Sequence, residues 1–238
     1  MKKTVLLTVF LAGTACSQVR GQAALLALIL GDRVATEKFH FSLKLGVTHS
    51  IIHGYDDGKN GWGFNFGLVN NIRLSEKLSL VPEFLPFAPR SIRDVPVLTT
   101  GDPNLDALLI DPESTDRKLK YIDIPVLLRW HLTERFSLAA GPMISVLTSA
   151  HDTYRSSPID EAVLTTELDI ASGLNRLDVG AVIDLQYILL PPVGGKGVNL
   201  YLRYGKGFLD PVKEPHAHSY TTSLIQFGAT FPFVKKED

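Results

Sequence analysis

The chain has 238 residues, 45% of them hydrophobic, and a formal net charge of −1 at pH 7. The absence of any run of Lys or Arg excludes a nucleic-acid surface, and the ordinary apolar content excludes intrinsic disorder. Because Cys16 is the single cysteine, a disulfide framework or a cysteine metal cluster within one chain is excluded as well.

The N-terminus has the organisation of a secretory signal peptide, which we predict to cover residues 1–23. A positive start, Met1-Lys2-Lys3, precedes an apolar stretch at residues 5–15 that is too short to span a bilayer as a helix. Gly21-Gln22-Ala23 fits the small-x-small pattern of a signal peptidase site. Cys16 offers a competing interpretation, lipidation after cleavage, but Gly13 stands where a lipoprotein site normally has Leu.

A second apolar run follows at residues 24–30, separated from the first by Arg20 and two glutamines. With Gly31-Asp32-Arg33 behind it, this run predicts a short helix or linker over residues 24–36. An extended part of the signal peptide is the alternative interpretation of the same residues.

After Glu37 the apolar residues recur at every second position. In residues 39–48 each odd position is apolar and each even position is polar or glycine, which is the pattern of a strand with one apolar face. Pro82 and Pro86 lack ladder donors, so we expect a bulge or an irregular segment around them. The same alternation predicts seven further strands: Trp62–Leu74, Leu78–Phe87, Leu119–Leu132, Phe136–Ala150, Leu177–Leu189, Val198–Tyr204 and Ile225–Phe233.

The connections between these strands alternate in length, as they do in outer-membrane barrels. The short ones are Ser75–Lys77, Thr133–Arg135 and Pro191–Gly197. The long ones are Ser50–Gly61, Arg90–Lys118, His151–Gly173 and Asp210–Ser219. We therefore predict an all-β fold, an eight-stranded antiparallel up-and-down transmembrane barrel over residues 37–234, with a charged tail at 235–238. Sec-type export would place it in the outer membrane of a Gram-negative bacterium.

The distribution of charge indicates which face of the barrel is outside. The polar face carries mid-strand charges of both signs, whereas the apolar face has almost none, so we expect a polar lumen with paired charges. The residues predicted to form this lumen network are Lys44, Arg73, Glu83, Asp123, Arg129, Arg176, Asp178, Asp184 and Arg203. Removing Arg129 is then expected to leave a carboxylate unpaired and to cost roughly a few kcal/mol.

Aromatic residues on the apolar face are expected to form two girdles at the membrane interfaces. Threading the strands up and down places one group near the short-turn rim: Phe39, Trp130, Phe136, Tyr187, Phe231 and Phe233. It places Trp62 and Tyr204 near the long-loop rim.

Five segments, in their order along the chain, carry a resemblance to a known family. They are Gly31–Phe39, Tyr121–Leu128, Ala140–Pro142, Leu177–Gly180 and Leu202–Phe208. The chain resembles the outer-membrane β-barrel proteins of Bacteroidota, the PorT-like family. This resemblance implies a barrel in the outer membrane and implies little about activity, because the family is mostly defined by its barrel. The chain departs from common outer-membrane barrels by ending on a charged tail rather than on an aromatic residue.

The sequence contains no Gly-x-Ser-x-Gly, no phosphate-binding glycine loop and no His-Glu-x-x-His, so we predict a protein that is not an enzyme and takes no cofactor. Asp178 and Asp184 lie on one strand about 20 Å apart, too far to act as an acid–base pair. We interpret His131 as a hydrogen-bonding group of the lumen, without a nucleophile clearly placed beside it.

Weak candidate metal ligands lie on the long loops, and we predict no metal site because no third ligand is fixed by spacing. These candidates are His216 and His218 with Asp210 and Glu214, and the pair His151-Asp152 on another loop.

The composition of the long loops favours a structural or interaction role. Several apolar residues occur within Arg90–Lys118 and within His151–Gly173, which indicates either packing between loops or a surface for a protein partner. We predict a protein anchored in outer-membrane lipid, with a filled lumen and no nucleic-acid partner.

Two other hypotheses about the function stay open. The first is a narrow channel or small-ligand carrier lined by Tyr121, Arg129, Tyr201 and Arg203, with room left by the inward glycines Gly46, Gly63, Gly67, Gly141, Gly180 and Gly205. The second is a soluble periplasmic lipocalin-like binder, in which the apolar face would line the interior.

Overall fold

A computed structural model describes residues 39–54, 59–95, 114–156, 164–193, 196–213 and 220–233. Within them the strands are β1 Phe39–His53, β2 Lys59–Arg73, β3 Leu78–Arg93, β4 Ser114–His131, β5 Phe136–Ser156, β6 Leu164–Asp169, β7 Leu177–Val193, β8 Lys196–Gly207 and β9 Thr221–Phe233. A short 3-10 helix, Ala171–Gly173, follows β6. Among the described residues, no helix has the length and apolarity needed to cross a membrane. The predicted signal peptide, pre-barrel helix and charged tail lie outside these ranges.

Eight of the strands close into an antiparallel barrel, which confirms the predicted fold. Each strand pairs with its neighbour in the order β1, β2, β3, β4, β5, β7, β8 and β9, and β9 returns to pair with β1. Closure gives each of these eight strands two partners, so the barrel itself has no open edge. β6 was not predicted. It pairs with β5 beyond the part of β5 that pairs with β7, and it is not one of the eight strands of the closed barrel.

The barrel has a short-turn rim and a long-loop rim. The connections from β2 to β3, β4 to β5 and β7 to β8 lie at the short-turn rim, together with the start of β1 and the end of β9. Two of these turns are closed by backbone hydrogen bonds, from Leu74 N to Leu78 O and from Leu132 N to Phe136 O, each 2.9 Å. The third turn is shorter than the predicted connection Pro191–Gly197, because β7 continues to Val193 and β8 begins at Lys196.

The strands extend further towards the long-loop rim than their sequence pattern indicated. β3 continues to Arg93, β4 begins at Ser114 and β5 continues to Ser156, so much of the predicted loops Arg90–Lys118 and His151–Gly173 is strand. Bulges account for the extensions of β3 and β5, because each inserts a residue and moves the inward positions from odd to even numbers.

The first bulge lies on β3, where the pairing with β4 shifts between Leu85 and Ala88. Pro86 lies within it, as expected for a residue that cannot donate to a ladder. The second lies on β5, where Leu147 and Ser149 pair with consecutive residues of β4 and Thr148 is the extra residue. The strict alternation from which each strand was predicted stops at its bulge.

The apolar face of the barrel is outside and the polar face is inside. Large hydrophobic side chains such as Trp62 (62% exposed), Ile183 (54%) and Leu202 (53%) point away from the lumen. The soluble lipocalin-like alternative is therefore wrong, since it required these side chains to line the interior. An exposed apolar band of this extent is stable in contact with lipid.

Two apolar clusters fill parts of the lumen. One lies along the middle of the strands and consists of Val69, Val81, Leu127, Ala139, Met143, Val182 and Leu224. The other lies towards the long-loop rim and consists of Ile52, Ala88, Ile92, Val95, Leu119, Tyr121, Leu147, Ala150, Ile170, Leu174 and Val212. Leu174 and Val212 form a backbone bridge, so the segments after β6 and β8 are joined at this mouth of the barrel.

Candidate functional site

The centre of the lumen is a network of four buried charges from four strands. Arg203 on β8 donates to both oxygens of Glu83 on β3, at 2.8 and 2.6 Å, and its Nε donates to Asp184 on β7 at 2.9 Å. Lys44 on β1 contacts the same two carboxylates at 3.3 and 3.4 Å. Two cations and two carboxylates therefore balance, which is what allows such charges to be buried.

The position of this network along the barrel follows from the register. Asp184 and Arg203 are direct cross-strand partners of β7 and β8. Lys44 lies five residues from the start of β1, and Glu83 five residues from the start of β3. The network is therefore about halfway along the ~10 residues that a tilted strand needs to cross hydrocarbon.

A layer formed by the Tyr201 ring and by neutral polar side chains covers the network. Lys44 Nζ lies 4.0 Å from the centroid of the Tyr201 ring. The Tyr201 hydroxyl donates to Asn65 Oδ1 at 2.9 Å, and Asn65 Nδ2 donates to Thr48 Oγ1 at 2.9 Å. Gln226 Nε2 also donates to Thr48 Oγ1, at 3.1 Å. These bonds hold the Tyr201 ring across the lumen beside the charges.

The inward glycines do not leave a channel through this region. A Cβ on Gly46 would overlap the Tyr201 hydroxyl, so this glycine makes room for the ring. A Cβ on Gly67 would overlap the backbone at Phe84 and the side chain of Leu85. At both positions, the space that a glycine could leave for a channel is therefore occupied by other atoms of the protein.

Two further ion pairs lie between the network and the long-loop rim. Arg90 Nη2 donates to Asp123 Oδ1 and to Ser145 Oγ, each at 3.0 Å. Its guanidinium also lies 3.9 Å from the centroid of the Tyr121 ring, in cation–π contact.

Arg117 on β4 forms the outer pair with Asp152 on β5. Its Nε and Nη2 donate to the two carboxylate oxygens at 2.8 and 2.7 Å, and the Tyr154 hydroxyl donates to the same carboxylate at 3.3 Å. All of these side chains are buried. Asp152 is therefore unavailable to join His151 in a loop metal site.

The structure brings together some of the predicted lumen residues and separates others. Lys44, Glu83, Asp184 and Arg203 form one network, while Asp123 belongs to the pair with Arg90. Asp178 is buried but accepts its hydrogen bond from the backbone N–H of Leu209, at 3.2 Å.

Arg73 and Arg176 do not belong to the lumen network. Arg73 is exposed at the end of β2 and donates to the carbonyls of Ser75 and Glu76 at 3.3 and 3.0 Å. Arg176, the residue immediately before β7, is also exposed. In both cases the alternation of the sequence continues past the part of the strand that encloses the lumen.

Arg129 is buried but forms no hydrogen bond or ion pair with the described residues. The expectation that its removal unpairs a carboxylate is therefore wrong, because Arg203 and Lys44 neutralise Glu83 and Asp184.

Arg90, Arg117 and Asp152 were not predicted as lumen residues, since all three fall in segments that were predicted to be loops. The bulges of β3 and β5 interrupt the alternation just before Arg90 and Asp152. A signal was present nonetheless: Arg117 continues the odd-numbered inward face of β4 without a break.

His131 lies at the short-turn rim between two serines. Its Nε2 is 2.9 Å from Ser79 Oγ and its Nδ1 is 3.0 Å from Ser137 Oγ. The expectation that no nucleophile lies beside it is therefore wrong. Both ring nitrogens lie against hydroxyls, and no carboxylate of the described residues hydrogen-bonds to the imidazole as in a hydrolase triad.

The metal candidates of the loops gain no support from the described part of the chain. No group of three or more His, Cys, Asp or Glu residues that could hold a metal lies within the described ranges. His216 and His218 lie outside them.

The aromatic residues predicted for the two girdles lie on the outer face of the barrel. Trp62 pairs with His49, His49 with Ile225, and Ile225 with Tyr204, so Trp62 and Tyr204 lie in one row across four strands. Phe136 and Tyr187 pair at the short-turn rim, with ring centroids 4.8 Å apart. The others at that rim are Phe39, Trp130, Phe231 and Phe233.

Comparison with solved structures shows similarity to small barrels at low sequence identity. Ail, the attachment invasion locus protein of Yersinia pestis, is 13% identical with a TM-score of 0.43, over 83% of this chain and 100% of that chain. Neisserial surface protein A is 11% identical with a TM-score of 0.42, over 81% and 96%. OprG from Pseudomonas aeruginosa is 11% identical with a TM-score of 0.40, over 84% and 98%.

A comparison with curated protein sequences found no match. A family model described as an outer membrane protein beta-barrel domain matches residues 30–210, which include strands β1 to β8. The chain therefore belongs to this family, and the protein is, as predicted, a β-barrel of the outer membrane of Gram-negative bacteria.

Proposed function

We propose that the protein is a non-conducting, non-enzymatic outer-membrane barrel that acts in a structural or interaction role through its long loops. The observation that carries this proposal is the filling of the lumen from its centre to the long-loop rim. The charge network, the Tyr201 layer, the Arg90 and Arg117 ion pairs and the outer apolar cluster follow one another along the barrel. These layers argue against the narrow-channel alternative, because a channel needs a continuous path.

We expect planar-bilayer recordings of the folded protein to show no steady conductance. Ions would have to displace buried ion pairs that are linked across the lumen, and such pairs are costly to break. A general porin incorporated in the same way serves as the positive control, and a heat-dependent gel shift verifies that the sample is folded. Reproducible open steps from the folded sample would contradict the proposal.

The loop role requires that the long-loop rim face the outside of the cell, as in other outer-membrane barrels. In a Cys16→Ser background, we expect Ser172→Cys to react with a membrane-impermeant maleimide on intact cells. Ser172 is exposed at the long-loop rim. Glu76→Cys, at an exposed position of the short-turn rim, is the matched control and is expected to react only after the outer membrane is opened. The reverse pattern would overturn this orientation.

The remaining assignments are also proposals. We propose that the aromatic residues of both rims contact the interfacial region of outer-membrane lipid, where amphipathic rings are favoured. A protein partner at the long loops and membership of the PorT-like barrels of Bacteroidota stay predictions from the sequence.

A further inference from the structure

A cavity of about 580 Å³ lies inside the short-turn rim, below the charge network. We call it the periplasmic vestibule, because the short-turn rim faces the periplasm in outer-membrane barrels. Most of its lining residues carry polar side chains, and they include Arg129, His131, Gln186 and Asn199 from the lumen wall. The layers described above close the lumen on the other side, so the vestibule opens towards the periplasm alone within the described part of the barrel.

Among the residues that the structure describes, Arg129 lines this vestibule without an ion-pair partner of its own. The residue is 5% exposed, and its buried Nε has no hydrogen-bond partner among them. The neighbouring carboxylates, Glu83 and Asp184, already form ion pairs with Lys44 and Arg203. The positive charge of Arg129 is therefore in excess over the balanced network beside it.

A buried guanidinium nitrogen without a hydrogen-bond partner is costly, and an oxyanion that enters the vestibule would supply Arg129 with a counter-charge. The planar guanidinium donates two parallel hydrogen bonds to carboxylate, phosphate or sulfate groups.

The rest of the lining suits the same kind of ligand. Gln186 and Asn199 are buried and offer amide donors, and Arg73 and Lys77 add positive charge at the mouth. The acidic groups of the lining, Glu76 and Glu134, are exposed on the turns, where solvent screens them.

We propose that the periplasmic vestibule is a binding site for an oxyanion group, with Arg129 as its principal ligand. The group is carried either by a small periplasmic solute or by a phospholipid headgroup at the rim, since both present the same phosphate chemistry. The proposal does not depend on the role of the long loops.

The test follows the Arg129 Nε–H resonance of the folded, arginine-labelled barrel in a neutral sugar detergent. Inorganic phosphate is expected to shift this resonance saturably, with a Kd of about 1 mM or tighter. The loss of one resonance in Arg129→Gln assigns the signal, and Arg129→Lys provides the assignment if that variant does not fold.

The same titration on variants shows whether binding is specific to the vestibule. Arg129→Gln is expected to weaken phosphate binding by about tenfold or more. Arg135→Gln removes a positive charge from the same rim, where Arg135 contacts the Tyr187 hydroxyl at 3.4 Å, and is expected to leave binding unchanged.

A shift with inorganic phosphate supports a soluble ligand. A shift that appears only with short-chain phosphatidylglycerol supports the headgroup as the source of the oxyanion. An Arg129 resonance that responds to neither, or equal phosphate binding by Arg129→Gln and the wild type, would overturn the proposal.

Discussion

Replacing Glu83 by Gln is expected to destabilise the folded barrel by about 3–5 kcal/mol, because removing one partner of a buried ion pair leaves the others uncompensated. Glu83 accepts hydrogen bonds from both terminal nitrogens of Arg203 and also contacts Lys44. In Glu83→Gln these two cations share Asp184 alone. The measurement is reversible urea unfolding in lipid vesicles, followed by tryptophan fluorescence. Both tryptophans, Trp62 and Trp130, lie on the outer face and report on insertion.

Arg129→Gln is the matched control for this change. It likewise replaces a buried lumen charge with a neutral amide, but Arg129 forms no ion pair with the described residues. We expect its unfolding midpoint to differ far less from the wild type than that of Glu83→Gln. If both variants unfold at the same urea concentration as the wild type, the central charges are solvated and the lumen is wet.

The second large effect is expected on the outer face, where Leu202→Lys should cost about 2–4 kcal/mol. Leu202 is 53% exposed and is the neighbour of Arg203, so it faces lipid at the level of the charge network. A lysine there must sit near the centre of the hydrocarbon, where its charge has no partner. Urea unfolding in vesicles gives the free-energy difference.

Leu132→Lys is the control for depth. Leu132 is 56% exposed, as Leu202 is, but it lies in the turn between β4 and β5 at the short-turn rim. Near the interface the same substitution is expected to cost only about 0–1 kcal/mol. Equal costs for the two substitutions would mean that residue 202 does not face the hydrocarbon core, and the membrane position given to the charge network would then be wrong.

Strand number and the direction of each face could be predicted from the sequence because they depend on a local property. A side chain in a strand points opposite to its neighbours, so Asp184 and Arg203 could be placed inside by counting from the apolar residues beside them. The bulges of β3 and β5 interrupt this count, and for that reason Arg90 and Asp152 were assigned to loops.

The sequence by itself determined that the chain forms an eight-stranded barrel with an apolar exterior and charges of both signs inside. Only the tertiary structure decided which charges meet. Arg129 and Arg203 are alike in the sequence, each inward-facing on a long strand, yet Arg203 reaches Glu83 from across the lumen while Arg129 lines the periplasmic vestibule. The physical reason is that partners across a lumen depend on the register and tilt of all eight strands together. Alternation along one strand contains no information about that register.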